Sequence, residues 1–305
     1  MTGGTTEGTT GGTLADLPEP AARLYDVRYS RYQGAHEPRW RSVLALARSS
    51  AGRALGLRRT AGAKVWPFFL LACVYLPVIA VVGIPLLFDG APDPLDILSY
   101  QQLLGLLTLV IVAFTATTLP SLLTRERRDR VLSLYFSTAL SRTEYVVGKL
   151  LAAVTLTSLV TLGPLLALFA GTILTAEAPL DLLRSEGGDL PAVVLGGVVV
   201  ALYFAALGLL AGSLTAKRVF AVGGLLAALL VTPVLSGLAF GLSGRRDLLV
   251  IDLSQVPQRA AGTLLPGQAF EPNPPDAALV WAVWALVLLA TSLVMTLVYR
   301  NRDSA

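Results

Sequence analysis

The sequence has a single cysteine, Cys73, and a single histidine, His36, among its 305 residues. One thiol excludes an intrachain disulfide and leaves the redox compartment unread; Cys73 lies in an apolar block and reads as packing. One histidine, with no second His and with the single cysteine inside an apolar block, cannot complete a metal site, so His36 reads as an interfacial or solvated residue. Charge is also scarce: Asp, Glu, Lys and Arg make up 14% against 54% hydrophobic residues, and the mean hydropathy is +0.67. That balance excludes a soluble domain, and the length allows several membrane crossings. The N-terminal TGGTTEGTTGGT has no apolar stretch of the kind a cleaved signal peptide needs, and residues 1–20 read as a disordered Gly/Thr-rich tail.

Two kinds of chemistry are missing as well. No G-x-x-x-x-G-K-[ST] occurs, since Lys64, Lys149 and Lys217 all lack the preceding glycine pattern and the following Ser/Thr. The chain therefore has no ATPase motif of its own and is expected to bind no cofactor and to be no enzyme. Gly241-Leu242-Ser243-Gly244 matches the G-x-S-G of rhomboid-type intramembrane proteases, but a serine nucleophile needs a base within hydrogen-bond reach. His36 falls on the opposite side in the topology below, so Ser243 reads as a polar helix end.

What is present is a series of apolar blocks at about 65–88, 100–123, 150–175, 191–214, 219–242 and 277–299, each near the ~20 residues that cross a hydrocarbon core. The third is expected to be the bilayer part of a longer helix begun near residue 142. Together they predict an all-α polytopic membrane protein with six transmembrane helices over 64–300. These spans contain no Asp, Glu, Lys, Arg or His. Ion-coupled carriers need embedded carboxylates, histidines or broken helices. If a substrate moves, the energy comes from elsewhere, from an ATP-driven partner; a passive scaffold shares the same absence.

Charge is unevenly placed. All but four of the 24 Lys and Arg, the exceptions being Arg184, Arg245, Arg246 and Arg259, fall in alternate segments: the N-terminal arm, the 124–149 loop, Lys217-Arg218 and the tail that ends in 301–305. By the positive-inside rule those segments, and both termini, face the cytoplasm of a cell membrane. The basic balance then reflects topology, and nucleic acid is excluded as a partner. Trp281 and Trp284 fall near the outer end of the last span and Tyr299-Arg300 at its inner end, as a belt and a snorkelling cation would. Gly208-x-x-x-Gly212 and Gly237-x-x-x-Gly241 offer close helix contacts.

Within the basic segment 21–63, Arg39, Trp40, Arg41, Val43, Leu44 and Arg48 read as a helix lying in the membrane interface, its arginines meeting anionic lipid headgroups, although Gly52 and Gly56 weaken it. Polar side chains inside the spans, Gln101, Thr108 and Thr115 among them, read as interhelical hydrogen bonds or back-bonding, or else as a weakly polar translocation surface.

The most informative run is Thr124–Lys149. Arg125, Glu126, Arg127, Arg128, Asp129 and Arg130 cannot sit in hydrocarbon, where each central charge costs about 2.5–3.5 kcal/mol on insertion scales. Val131, Leu132, Leu134, Tyr135 and Phe136 follow, with 131, 134 and 135 spaced for one face of a short surface helix. Ser141-Arg142-Thr143-Glu144 fits a capping box and starts the next helix. On charge alone, a solvated loop that merely sets topology remains an equal reading.

This run resembles the cytoplasmic loop between the second and third spans of ABC-2 type ABC transporter permeases. The resemblance lies in Glu126-Arg127-Arg128, Val131-Leu132-x-Leu134-Tyr135, Ser137-Thr138-Ala139-Leu140-Ser141-Arg142 and Gly148-Lys149, with Arg130 and Ala139 where the family has Gly and Pro. Tyr29-Ser30-Arg31-Tyr32-Gln33-Gly34 and Ala63-Lys64-Val65-Trp66-Pro67 are similar to an actinobacterial-like subgroup. The resemblance implies an exporting permease subunit, paired with a second copy or paralogue and with separate cytoplasmic ABC ATPases that hold ATP and Mg. It further implies that Arg125, Glu126, Arg127, Arg128 and Asp129 set docking. Val131, Leu132 and Tyr135 would fill a groove on the ATPase, as a cytoplasmic coupling helix, with Ser141, Arg142, Glu144, Gly148 and Lys149 completing the element. The interfacial helix becomes the elbow before the first span, and the second and fifth spans border the pathway, with Gln101, Thr108 and Thr115 on the second. A non-transporting scaffold that tethers a cytoplasmic partner through the same loop is the alternative.

Overall fold

The computed structural model describes residues 38–57, 61–88, 92–128, 141–176, 178–215, 217–267, 271 and 273–300. The 1–20 tail, the Tyr29–Gly34 motif, His36, Asp129, the whole Val131/Leu132/Tyr135 face and the 301–305 tail lie outside these. All secondary structure among the described residues is helical. The helices are α1 (Arg39–Ala54), α2 (Ala61–Leu87), α3 (Pro94–Ile97), α4 (Tyr100–Thr118), α5 (Ser121–Arg128), α6 (Arg142–Val160), α7 (Leu162–Thr175), α8 (Pro179–Glu186), α9 (Leu190–Leu214), α10 (Arg218–Ser243), α11 (Val256–Gly262) and α12 (Ala277–Arg300).

Among the described residues six stretches are long and apolar enough to cross a membrane: Lys64–Leu87, Tyr100–Thr124, Thr143–Val160, Gly187–Leu214, Arg218–Ser243 and Ala277–Val298. The protein is thus an all-α polytopic membrane protein. One feature differs from the sequence expectation. The third apolar run is two helices, interrupted at Thr161, and its longer apolar helix is the first one, in which Lys149 lies. Pro164 accounts for the interruption, because it has no N–H for the Val160 carbonyl and its ring crowds that turn.

Local sequence sets the other boundaries. Ser99 caps α4 in a capping box with Gln102, and α4 gives way to α5 around Pro120, which again lacks the donor a continuing helix would need. α10 ends where Gly244 turns left-handed at φ 67°, a conformation that costs glycine nothing. α2 runs through Pro67, Pro77 and Pro85. Ser243, the serine of the G-x-S-G match, sits at the end of α10 and donates to the Ala239 carbonyl.

Glycine decides which helix is central. On α9, a Cβ at Gly208 would lie 2.5 Å from Leu119, one at Gly197 2.9 Å from Leu162, and one at Gly196 2.9 Å from Leu265. The missing side chains let α4, α7 and the turn after α11 close onto α9. In consequence 72% of the most apolar stretch of α9 and 67% of that of α4 are buried, against 22% for α2, 22% for α10 and 17% for α12. The second small-residue pair, Gly237 and Gly241, meets nothing within 4 Å. Trp281 and Trp284 stack edge to face at 5.5 Å, and both indoles donate inward, to Thr263 and to the Val199 carbonyl.

Candidate functional site: a buried charge cluster joining three helices

α1 carries apolar residues on two sides. Val43, Leu46, Ala47 and Ser50 are buried, at the i, i+3, i+4, i+7 spacing of one helical face. That face packs on α6. Contact is close because position 148 is glycine, where a Cβ would come within 2.9 Å of Leu46 Cδ2 and 3.3 Å of the Val43 carbonyl oxygen. On the other side Arg39, Trp40, Arg41, Leu44 and Arg48 are exposed, with the Arg41 guanidinium 5.6 Å from the centroid of the Trp40 ring. One face is thus fixed to the protein and the other is open, as a helix in an interface requires.

The start of α6 is fixed by its cap. Ser141 Oγ accepts from the Glu144 N–H at 3.3 Å, and the Glu144 carboxylate accepts from the Ser141 N–H at 2.7 Å. From this start, Tyr145 and Lys149 fall one turn apart on the side that meets α5 and α1.

There they converge on one carboxylate. Glu126, on α5, accepts from Lys149 Nζ at 2.6 Å and from Arg53 of α1 at 3.1 Å through Oε1, and from the Tyr145 hydroxyl at 2.6 Å through Oε2. Lys149 also donates to Ser50 Oγ at 3.0 Å and stands 5.4 Å from the centroid of the Tyr145 ring. The Lys149 side chain is 1% exposed and that of Glu126 6%, while Arg53 is 38% exposed. A desolvated lysine is tolerated because an anion, a hydroxyl and a ring face replace its water. The cluster carries two cations to one carboxylate, and the excess charge is placed on Arg53, which reaches solvent.

The resemblance gives Glu126 a part in docking and Lys149 a place at the end of the loop element; in the structure both are buried and bound to one another. The reason is physical: an isolated Lys on an apolar helix needs an anion nearby, and Glu126 is the carboxylate α5 turns inward. Gly148 and Glu144 act through α6 itself, one as space for α1 and the other as a cap. Arg125, Arg127, Arg128 and Arg142 are backbone positions of α5 and α6. Sequence reasoning left Ser50, Arg53 and Tyr145 off the site. The Tyr145/Lys149 and Ser50/Arg53 spacings were the available signal, but nothing in one dimension brings α1 to α6.

Thr108 and Thr115 are buried, and Gln101 is half-buried and lines a cavity with Gln258 and Arg259. Gln101 donates to the Gly262 carbonyl at 2.8 Å, Thr108 accepts from Gln258 at 3.1 Å, and the buried Thr115 hydroxyl has no partner among the described residues. Their helix, α4, is packed by α2, α9, α10 and α11, so these groups face neighbours.

Residues 91–298 match the family model described as ABC-2 family transporter protein. The match includes Glu126, Tyr145 and Lys149 and leaves Ser50 and Arg53 outside. No curated protein matches the chain significantly.

Proposed function

The chain belongs to the ABC-2 family of transporter proteins, whose members are membrane components of ABC transporters, and from that premise we propose that it is a permease subunit driven by a separate ATP-binding subunit that engages the 124–149 loop and α1. The reading is carried by the Glu126 cluster. Force applied to the loop reaches α5 and α6 together, because Lys149 and Tyr145 hold Glu126, and it reaches α1 because Arg53 and Ser50 join the same carboxylate and ammonium. Closure of a nucleotide-bound ATPase dimer, with ATP and Mg held on that partner, would then move three helices as one unit and change the side from which the spans are open.

In this reading both termini and the 124–149 loop lie on the cytoplasmic side of a cell membrane, a second copy or a paralogue completes the pathway, and transport is outward. The exposed Arg39, Trp40, Arg41 and Arg48 rest against lipid headgroups. Val131, Leu132 and Tyr135 enter the ATPase groove, Arg125, Arg127, Arg128 and Asp129 orient the approach, and Glu126 and Lys149 transmit it. The N-terminal motifs favour the actinobacterial-like subgroup.

The test separates docking from transmission. Val131→Asp and Tyr135→Asp should abolish co-purification of the ATPase. Glu126→Gln should keep the ATPase bound but lower transport per ATP at least tenfold. Full transport by the Asp variants overturns the docking arrangement, and full coupling in Glu126→Gln overturns the role given to the cluster.

A further inference from the structure

α6 and α7 form one apolar run in sequence, yet they part at Thr161, which closes the first helix and opens the second at φ −116° and ψ −67°. An interruption in apolar surroundings leaves last-turn carbonyls without helical donors, and hydrocarbon offers no water to replace them. Side chains take over here. Tyr75, from the middle of α2, donates its hydroxyl to the Leu159 carbonyl at 2.9 Å. The Thr157 carbonyl keeps its helical donor, the Thr161 N–H at 3.0 Å, and the Thr161 hydroxyl is placed to add a second bond to it at 3.0 Å or to reach across to the Gly197 carbonyl of α9 at 3.3 Å. Gly163 supplies the room for the tyrosine, since a Cβ there would collide with the Tyr75 hydroxyl oxygen.

The two halves have different attachments. Both halves pack on α9; beyond that shared contact, α6 carries α1 on its first half and is tied to α5 by the charge cluster, whereas α7 is braced mainly by α2, α3 and α8. The first turn of α7, directly after Thr161, holds Gly163, the weakest helix former after proline, and Pro164, which removes the hydrogen bond that would stiffen the joint. A sharp interruption with this composition bends more easily than the helices on either side.

We propose that Thr161 is a hinge between the α1-bearing and α2-bearing halves of the third span, and that Tyr75 is the positioning residue that latches it. The proposal rests on the permease reading for the force that works the hinge, while the latch is a property of this chain alone. Released, α6 would swing with α1 and α5 while α7 stays on α2; held by Tyr75, the halves keep one angle.

The experiment uses the full chain in lipid nanodiscs without any ATPase, so its outcome is independent of the transport assignment. Spin labels are placed at the exposed positions Thr143→Cys and Leu174→Cys in a Cys73→Ser background. The native latch should give one narrow distance distribution. Tyr75→Phe should at least double its width, and Gly163→Ala, which displaces the hydroxyl, should do the same. The two together should broaden it no more than either alone. Pro164→Ala, which restores the missing N–H, should give a longer and narrower distance. Unchanged width in Tyr75→Phe overturns the latch, as does additive broadening in the double variant, and an unchanged distance in Pro164→Ala overturns the hinge.

Discussion

Glu126 shows how one carboxylate can join three helices of a membrane protein. Removing one member of a buried, hydrogen-bonded ion pair costs about 3–5 kcal/mol, because the other charge stays behind without its partner. Glu126→Ala or Lys149→Met should each lower stability by about that much, measured by denaturant titration in detergent. The double variant should recover a large share, giving a coupling energy of roughly 2 kcal/mol or more in a double-mutant cycle. The threonines of α4 give an opposite pair of outcomes. Thr115→Val removes a buried hydroxyl that has no partner among the described residues, so it should raise stability by up to about 1 kcal/mol. Thr108→Val should lower it by about 1–3 kcal/mol, since it strips the Gln258 amide of its acceptor. At this scale the sequence was legible where chemistry is local. The Ser141/Glu144 cap could be read from four letters, whereas the burial of Glu126 could not, because its partners lie on α1 and α6.

At the scale of elements, glycine works by letting helices meet. Gly208 and Gly241 look alike in sequence, each half of a G-x-x-x-G pair. In the structure Gly208 is covered by Leu119 and Gly241 by nothing within 4 Å. Gly208→Val should therefore disrupt the α4–α9 contact and lower the melting temperature sharply, while Gly241→Val should leave it within error. Gly148→Val is the matching test for α1. A Cβ there would already stand 2.9 Å from Leu46 Cδ2 and 3.3 Å from the Val43 carbonyl oxygen, and valine adds two methyls to it, so α1 should lift from α6, and limited proteolysis should then cut within residues 38–57 while the rest of the chain resists. Helix existence was plain from apolar runs, and most helix ends followed from Ser, Pro and Gly. The division of the third span at Thr161 was less so: Pro164 was visible inside the run, but proline interrupts α7's neighbourhood and not α2, which carries three. What differs is the surroundings, in which the Tyr75 hydroxyl donates to the Leu159 carbonyl and the Thr161 hydroxyl ties the joint to the Gly197 carbonyl of α9.

For the whole molecule, the unequal distribution of Lys and Arg assigns a direction across the bilayer. A membrane-impermeant thiol reagent on intact cells should label Arg245→Cys and spare Arg48→Cys in a Cys73→Ser background; the reverse pattern would invert the topology and remove the 124–149 loop from any cytoplasmic ATPase. Sequence by itself determined the class of protein, the number of crossings and the absence of an ATP-binding motif, because hydropathy and charge act residue by residue against the solvent, with no need of knowing which helix touches which. Tertiary structure alone decided which glycines are contacts, that Glu126 and Lys149 face one another, and that α1 belongs to the same unit as α5 and α6. Those facts depend on pairings between residues as far apart as Arg53 and Glu126. Only the packed chain brings such residues within hydrogen-bond reach.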